Sequence, residues 1–209
     1  MTTTLLIVRH GQTAWNKEER FRGRTDLPLD ETGRQQAEVV ARRIAAAYQP
    51  VAILASPLQR ALQTATAIAR PLGLQVAPEE SLLDLDYGDF AGLSPAEAEA
   101  QYPDLYRSWL NVPHVMRFPH GESLDDVRQR ITDLVGGLKM VHANEQVVLV
   151  THLVVCRVLL CSLLGIHNGY FNHFRVDPAS LTVFELDESQ AMLVTTNDTC
   201  HLLEGRDDG

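Results

Sequence analysis

The apolar positions of this chain alternate between short β-branched runs and stretches of helical period. Thr4 to Val8 is unbroken by polar side chains, the pattern of a strand buried on both faces. A polar loop rich in Arg, Asp and Gly follows from Gly11 to Glu31. Thr32 with Gln35 three residues on reads as a capping box, and Ala37, Val40, Ala41, Ile44 and Tyr48 then form one apolar helical face. Val51 to Ala55 is a second strand, and Ser56-Pro57 predicts an N-cap and first position for a helix reaching about Arg70. A third short strand is expected over Leu74 to Ala77. Later come a helix from Ser123 to about His142, a strand from Gln146 to Val150 and an apolar helix from Leu153 to Leu164. Leu181 to Leu186 and Met192 to Thr196 read as a hairpin turning at Asp187-Glu188-Ser189. Only Glu79 to Gly121 breaks this rhythm. It interleaves Pro, Tyr, Trp and acidic residues, offers a helix start at Ser94 and no strand, and reads as an insertion over one end of the sheet.

Strand and helix in alternation predict an α/β fold, a three-layer α/β/α sandwich whose mainly parallel sheet is covered on both faces. The 209 residues fit a single domain, 1–209, with the insertion at about 79–121 as a lid. A chain 45% apolar and 22% charged builds a core without disulfides. Its net charge of −9 argues against a broad nucleic-acid surface. No apolar run approaches a membrane span, Met1 to Val8 lacks the features of a signal peptide, and the expected location is cytoplasmic. Cys156, Cys161 and Cys200 match no metal spacing and are expected to be small core residues. The other histidines form no H-x-x-x-H or H-E-x-x-H set, so no metal site is expected. His120, beside Gly121-Glu122, is a further residue that could line a pocket. Beyond Leu203 the chain ends in a short polar tail, Gly205 to Gly209.

Parallel sheets place ligands beyond the carboxyl ends of their strands. There the chain puts Arg9, His10 and Gly11 after the first strand, Ser56 and Arg60 after the second, and Thr151 and His152 after the late one. Guanidinium forks suit phosphate, and a neutral imidazole can attack phosphorus. Arg9 and His10 would point to opposite faces of a regular strand, so the chain must turn at Gly11 for both to reach one pocket.

Leu5 to Asn16, Arg22 to Leu29 with Thr32-Gly33, and Ser56 to Ala65 resemble the signatures of the histidine phosphatase superfamily, the phosphoglycerate mutase-like proteins. Gly121-Glu122-Ser123 and His152 extend the resemblance over nearly the whole chain. It implies a phosphate-accepting His10, with Arg9, Arg60 and His152 around the phosphate. Gly11, Asn16, Arg22, Gly23 and Leu153 fall where the family contacts phosphate or substrate. Leu82 to Gly92 is similar to the family's acid segment, but Asp84 stands at the usual glutamate and Phe90 at the usual tryptophan. Asp84 is the expected general acid, with Asp86 as the alternative. Leu153 replaces the glycine that usually follows the second histidine.

The implied activity is metal-independent hydrolysis of small phosphomonoesters through a phosphohistidine, with no cofactor and with protonated His152 holding phosphate oxygens. The alternatives are a phosphoglycerate mutase and a phosphate-binding module without turnover. The expected partner is a small phosphorylated metabolite, not nucleic acid or membrane, and a homodimer through a strand edge or the lid fits the pattern. Tyr87, Phe90, Tyr102, Tyr106, Trp109 and Arg117 are expected to form the lid's pocket face.

Overall fold

The computed structural model describes residues 1–18 and 20–203; the tail Gly205 to Gly209 lies outside the described residues. Six strands form one sheet: β1 Thr3–Arg9, β2 Ala52–Ala55, β3 Val76–Pro78, β4 Gln146–Thr151, β5 Leu181–Leu186 and β6 Ala191–Asp198. Their order is β3-β2-β4-β1-β5-β6. β3, β2, β4 and β1 run parallel, and the hairpin β5–β6 closes the sheet antiparallel to β1. The helices are α1 Ala14–Glu18, α2 Glu31–Ala47, α3 Gln59–Leu72, α4 Pro95–Gln101, α5 Pro103–Asn111, α6 Leu124–Val141 and α7 Leu153–Leu163.

The period of two along β1 explains the layers. Leu6 and Val8 face a core shared with Ala37, Val40 and Ile44 of α2 and Ala61, Ala65 and Ile68 of α3. Leu5 and Ile7 face the other way, toward Val127 and Ile131 of α6 and Val155 and Leu159 of α7. Both faces are buried, so the strand has no polar alternate positions. The 79–121 segment packs into this second core through Leu82, Leu85, Phe90, Ala98, Met116 and Phe118. It shares the core of the helical layer and also meets the strand ends, where Glu79 N donates to Ala55 O and Thr151 Oγ1 to Leu82 O.

Several local expectations shift. The N-cap of α2 is Asp30, whose carboxylate accepts from Gly33 N; Thr32 already lies inside the helix. Ser56 does not cap α3, which starts at Gln59. Instead Asp26, from the polar loop, accepts from Gln59 N at 2.7 Å. β3 lies at Val76–Pro78, slightly later than expected. The capping box at Ser94 and the N-cap at Ser123 are as expected. Cys156 and Cys161 are buried, whereas Cys200 is exposed. Among the described residues no helix is long and apolar enough to cross a membrane.

Candidate active site

β1 and β4 end side by side, and His10 N donates to Thr151 O, so the residues that follow both strands share one place. The His10 and His152 rings lie 5.2 Å apart, both buried. Gly11 permits this by lacking a side chain: a Cβ there would run into the carbonyl of Gly33, and Gly11 N donates to Thr64 Oγ1. The chain's exit from β1 therefore depends on close backbone packing against α2, not on an unusual dihedral.

Each imidazole is held in one tautomer. His10 Nδ1 lies 2.6 Å from Gly11 O, which can only accept, so the proton sits on Nδ1 and Nε2 keeps its lone pair. Burial, Arg60 and Arg9 push the His10 pKa well down, so it is neutral. His152 Nδ1 accepts from Arg60 Nε at 3.2 Å, and its Nε2 therefore donates to Ser56 Oγ at 2.8 Å. Burial, Arg60 and His10 push its pKa well down too. His152 is neutral in the free protein, contrary to the expected imidazolium, because a proton on Nδ1 would face a guanidinium N–H.

Arg60 is fully buried and gives its other donors to Thr25 O and Gly23 O, both at 2.8 Å, and to Asp84 Oδ2 at 3.3 Å. Gly23 has φ +49°, and a Cβ there would lie 2.9 Å from Leu85 O. Its role is thus to bring a carbonyl onto Arg60. Arg9 Nη1 donates to Val176 O at 2.6 Å, while Arg9 Nε and Arg22 Nε are buried with no hydrogen-bond partner among the described residues. Burial, reinforced by Arg22, lowers the Arg9 pKa to about 10. Unpaired buried guanidinium donors beside a neutral imidazole make an anion site.

Asp84 is buried, with Oδ1 accepting from Leu85 N at 3.0 Å and Oδ2 lying 3.8 Å from His152 Nδ1. Burial raises its pKa against the pull of Arg60. The loop carrying it is held from below: Arg130 donates to Ser81 O at 2.6 Å and to Asp84 O at 3.3 Å. Glu122 bonds Arg130 and accepts from Asp86 N at 3.0 Å.

Above these groups opens a cavity of about 390 Å³, lined by Arg9, Asn16, Arg22, Asp84, Leu153 and an aromatic wall that includes Phe21, Tyr87, Tyr106, Trp109 and Phe171. Residues 5–199 match the model of the histidine phosphatase superfamily, branch 1. The chain belongs to the histidine phosphatase superfamily. It is 35% identical over 200 residues to phosphoserine phosphatase 1 of Hydrogenobacter thermophilus, covering 96% of this chain and 94% of that one. It is 29% identical over 202 residues to a metal-independent phosphoserine phosphatase of Arabidopsis thaliana, covering 96% and 83%. The solved structure of Bacillus stearothermophilus YhfR superposes with a TM-score of 0.91 at 30% identity, covering 96% of this chain and 99% of that one. With phosphatase-named relatives over 96% of its length, the chain is a phosphatase of the histidine phosphatase type.

Within this histidine phosphatase, Arg9, Asn16, Arg22, Asp84 and Leu153 line the cavity, while His10, Arg60 and His152 lie buried beside it. Asn16 turns its Oδ1 to Thr13 N and Thr13 Oγ1. Asp86 is not in the cavity wall; its carboxylate binds Gly88 N and faces Arg24. Of the expected lid residues, Tyr87, Tyr106 and Trp109 line the cavity. Phe90 stacks on Tyr102 inside the core, and Arg117 pairs with Asp126. His120 is exposed and bonds Asp89. Sequence reasoning missed the roles of Thr64, Arg130 and Arg157. Thr64 and Arg130 act on backbone atoms, and backbone partners leave no spacing signal in a sequence.

Proposed function

We propose that this histidine phosphatase hydrolyses small phosphomonoesters without a metal, through a phosphohistidine on His10 Nε2. The observation carrying this reading is the His10 tautomer, with Nδ1 pinned to a carbonyl and the bare Nε2 set among arginines. His10 Nε2 attacks phosphorus in line, forming N–P as the P–O ester bond breaks. Arg9, Arg22 and Arg60 stabilise the equatorial oxygens, supplying positive charge that a divalent cation supplies elsewhere. Asp84, its pKa raised by burial, gives its proton to the departing alkoxide. The resulting carboxylate then takes a proton from water, whose oxygen attacks phosphorus. The N–P bond breaks, and phosphate leaves with His10 neutral again.

In this reading the 79–121 segment is the substrate-selecting wall, and the partner is a small phosphorylated metabolite in the cytoplasm. The test is a quenched reaction with labelled substrate in the presence of a chelator. The wild type should carry acid-labile phosphate, and His10→Ala should carry none and lose turnover. Label on His152, loss of activity with EDTA restored by a divalent ion, or phosphate returned to a second hydroxyl instead of water would each overturn the proposal.

A further inference from the structure

α7 presents Leu153, Val154 and Arg157 to the cavity, Leu153 and Arg157 lying one turn apart on one helical face. Arg157 is held rigidly: Nε donates to Phe174 O at 2.8 Å, Nη1 to Asn172 Oδ1 at 3.4 Å, and the guanidinium lies 5.2 Å from the Phe171 ring centroid. No carboxylate pairs with it among the described residues, and its Nη2 makes no hydrogen bond to them.

Among the described residues the cavity lining holds four arginines, Arg9, Arg20, Arg22 and Arg157, against one carboxylate, Asp84. Arg20 is neutralised by Glu18 and Glu97. Arg9 and Arg22, with buried Arg60, account for a phosphate dianion. Arg157 is left as an oriented cation with no counter-charge among the described residues. A fixed fork whose donors are already aligned binds a carboxylate at little entropic cost.

We propose that Arg157 forms a second anion subsite, which takes a carboxylate on the alcohol half of the substrate. This rests on the phosphatase reading above. The helical rise places the Arg157 backbone about 6 Å beyond that of Leu153 along α7, so a carbon spacer joins the two anionic ends. That spacer lies against Tyr106, Trp109 and Phe171. Among the described residues the wall offers no free carboxylate to a substrate ammonium, because Asp84 is engaged by Arg60. The substrate class is therefore a phosphorylated hydroxy acid rather than the ester of an amine or a plain alcohol.

The test compares the phosphate monoesters of 4-hydroxybutanoate, its primary carboxamide and 4-aminobutanol. In the wild type, kcat/KM for the carboxylate should exceed that for the isosteric amide by about tenfold or more, as expected for one charge-assisted hydrogen-bonded pair, with the ammonium ester slowest. In Arg157→Met the carboxylate-to-amide ratio should fall to near one, and in Arg157→Lys to an intermediate value, whatever happens to absolute rates. If Arg157→Met does not fold, the wild-type ratio and Arg157→Lys carry the test. Calorimetric binding of the corresponding phosphonates gives the same ratio without turnover. A wild-type ratio near one, or a ratio unchanged in both variants, overturns the subsite. Tenfold tighter binding of the carboxylate phosphonate with no hydrolysis of any ester would support the subsite and refute the phosphatase reading.

Discussion

Asp84→Asn removes the proton that the departing alkoxide needs while leaving the volume of the side chain nearly unchanged. General acid catalysis contributes about 10²–10⁴ in rate, or roughly 2.7–5.5 kcal/mol of barrier, and turnover of an alkyl phosphate should fall by that factor. Free phosphate should bind nearly as before, because Arg9 and Arg22 stay in place and burial already favours the neutral acid at Asp84. p-Nitrophenyl phosphate should lose much less, since its leaving group departs without protonation. The variant also has a stability signature. The carboxamide can turn its single oxygen to Leu85 N or to Arg60 Nη2 but not to both. One buried donor goes unpaired, at about 1–3 kcal/mol, which lowers Tm by several degrees in a chain of this size. Steady-state rates on a series of esters of rising leaving-group pKa, with a melting curve for each variant, measure both effects. Asp84→Glu, which restores the residue usual in the family, should retain much of the activity. The assignment fails if Asp84→Asn slows aryl and alkyl esters equally, or if Asp86→Asn shows the leaving-group pattern and Asp84→Asn does not.

Arg130→Met should reproduce part of this signature, slowing alkyl esters several-fold more than p-nitrophenyl phosphate, because Arg130 holds the Ser81 and Asp84 carbonyls; an equal loss on both would make it merely structural. Acidification should destabilise the protein. His10 and His152 bind protons less readily folded than at their ordinary value of 6.5, so below about pH 6.5 the unfolded chain takes up the extra protons. Stability is then lost as pH falls, with a slope approaching about 2.7 kcal/mol per unit when both groups contribute. The raised pKa of Asp84 acts with the opposite sign, favouring the folded state as pH falls toward the ordinary carboxylate range. Urea unfolding from pH 7.5 to 5.5 should show the loss, with His10→Asn reducing the slope; a flat wild-type profile would contradict the buried neutral pair.

The sequence by itself determined the sheet and the place of the site. The β-branched run of Thr4 to Val8 has no polar alternate positions, so it had to be buried on both faces, and its register carried Arg9 and His10 to a strand end. The same pattern logic set β2, β4 and α7, and with them Arg60 and His152. Periodicity, however, records only which side of an element is apolar. It does not record which distant group satisfies a polar atom. Only the tertiary structure decided that Asp26 accepts from Gln59 N at the start of α3 and that Ser56 Oγ accepts from His152. Only there does Arg60 meet His152 Nδ1, which fixes the tautomer and keeps the imidazole neutral. Asp84 and Asp86 are equivalent as residues in a loop, and two residues of backbone direction separate the cavity wall from the surface. Arg157 looks in sequence like one polar break in an apolar helix. It becomes a cation in a cavity, without a carboxylate partner among the described residues, because residues 171–174, about fifteen positions on, fold back to hold it.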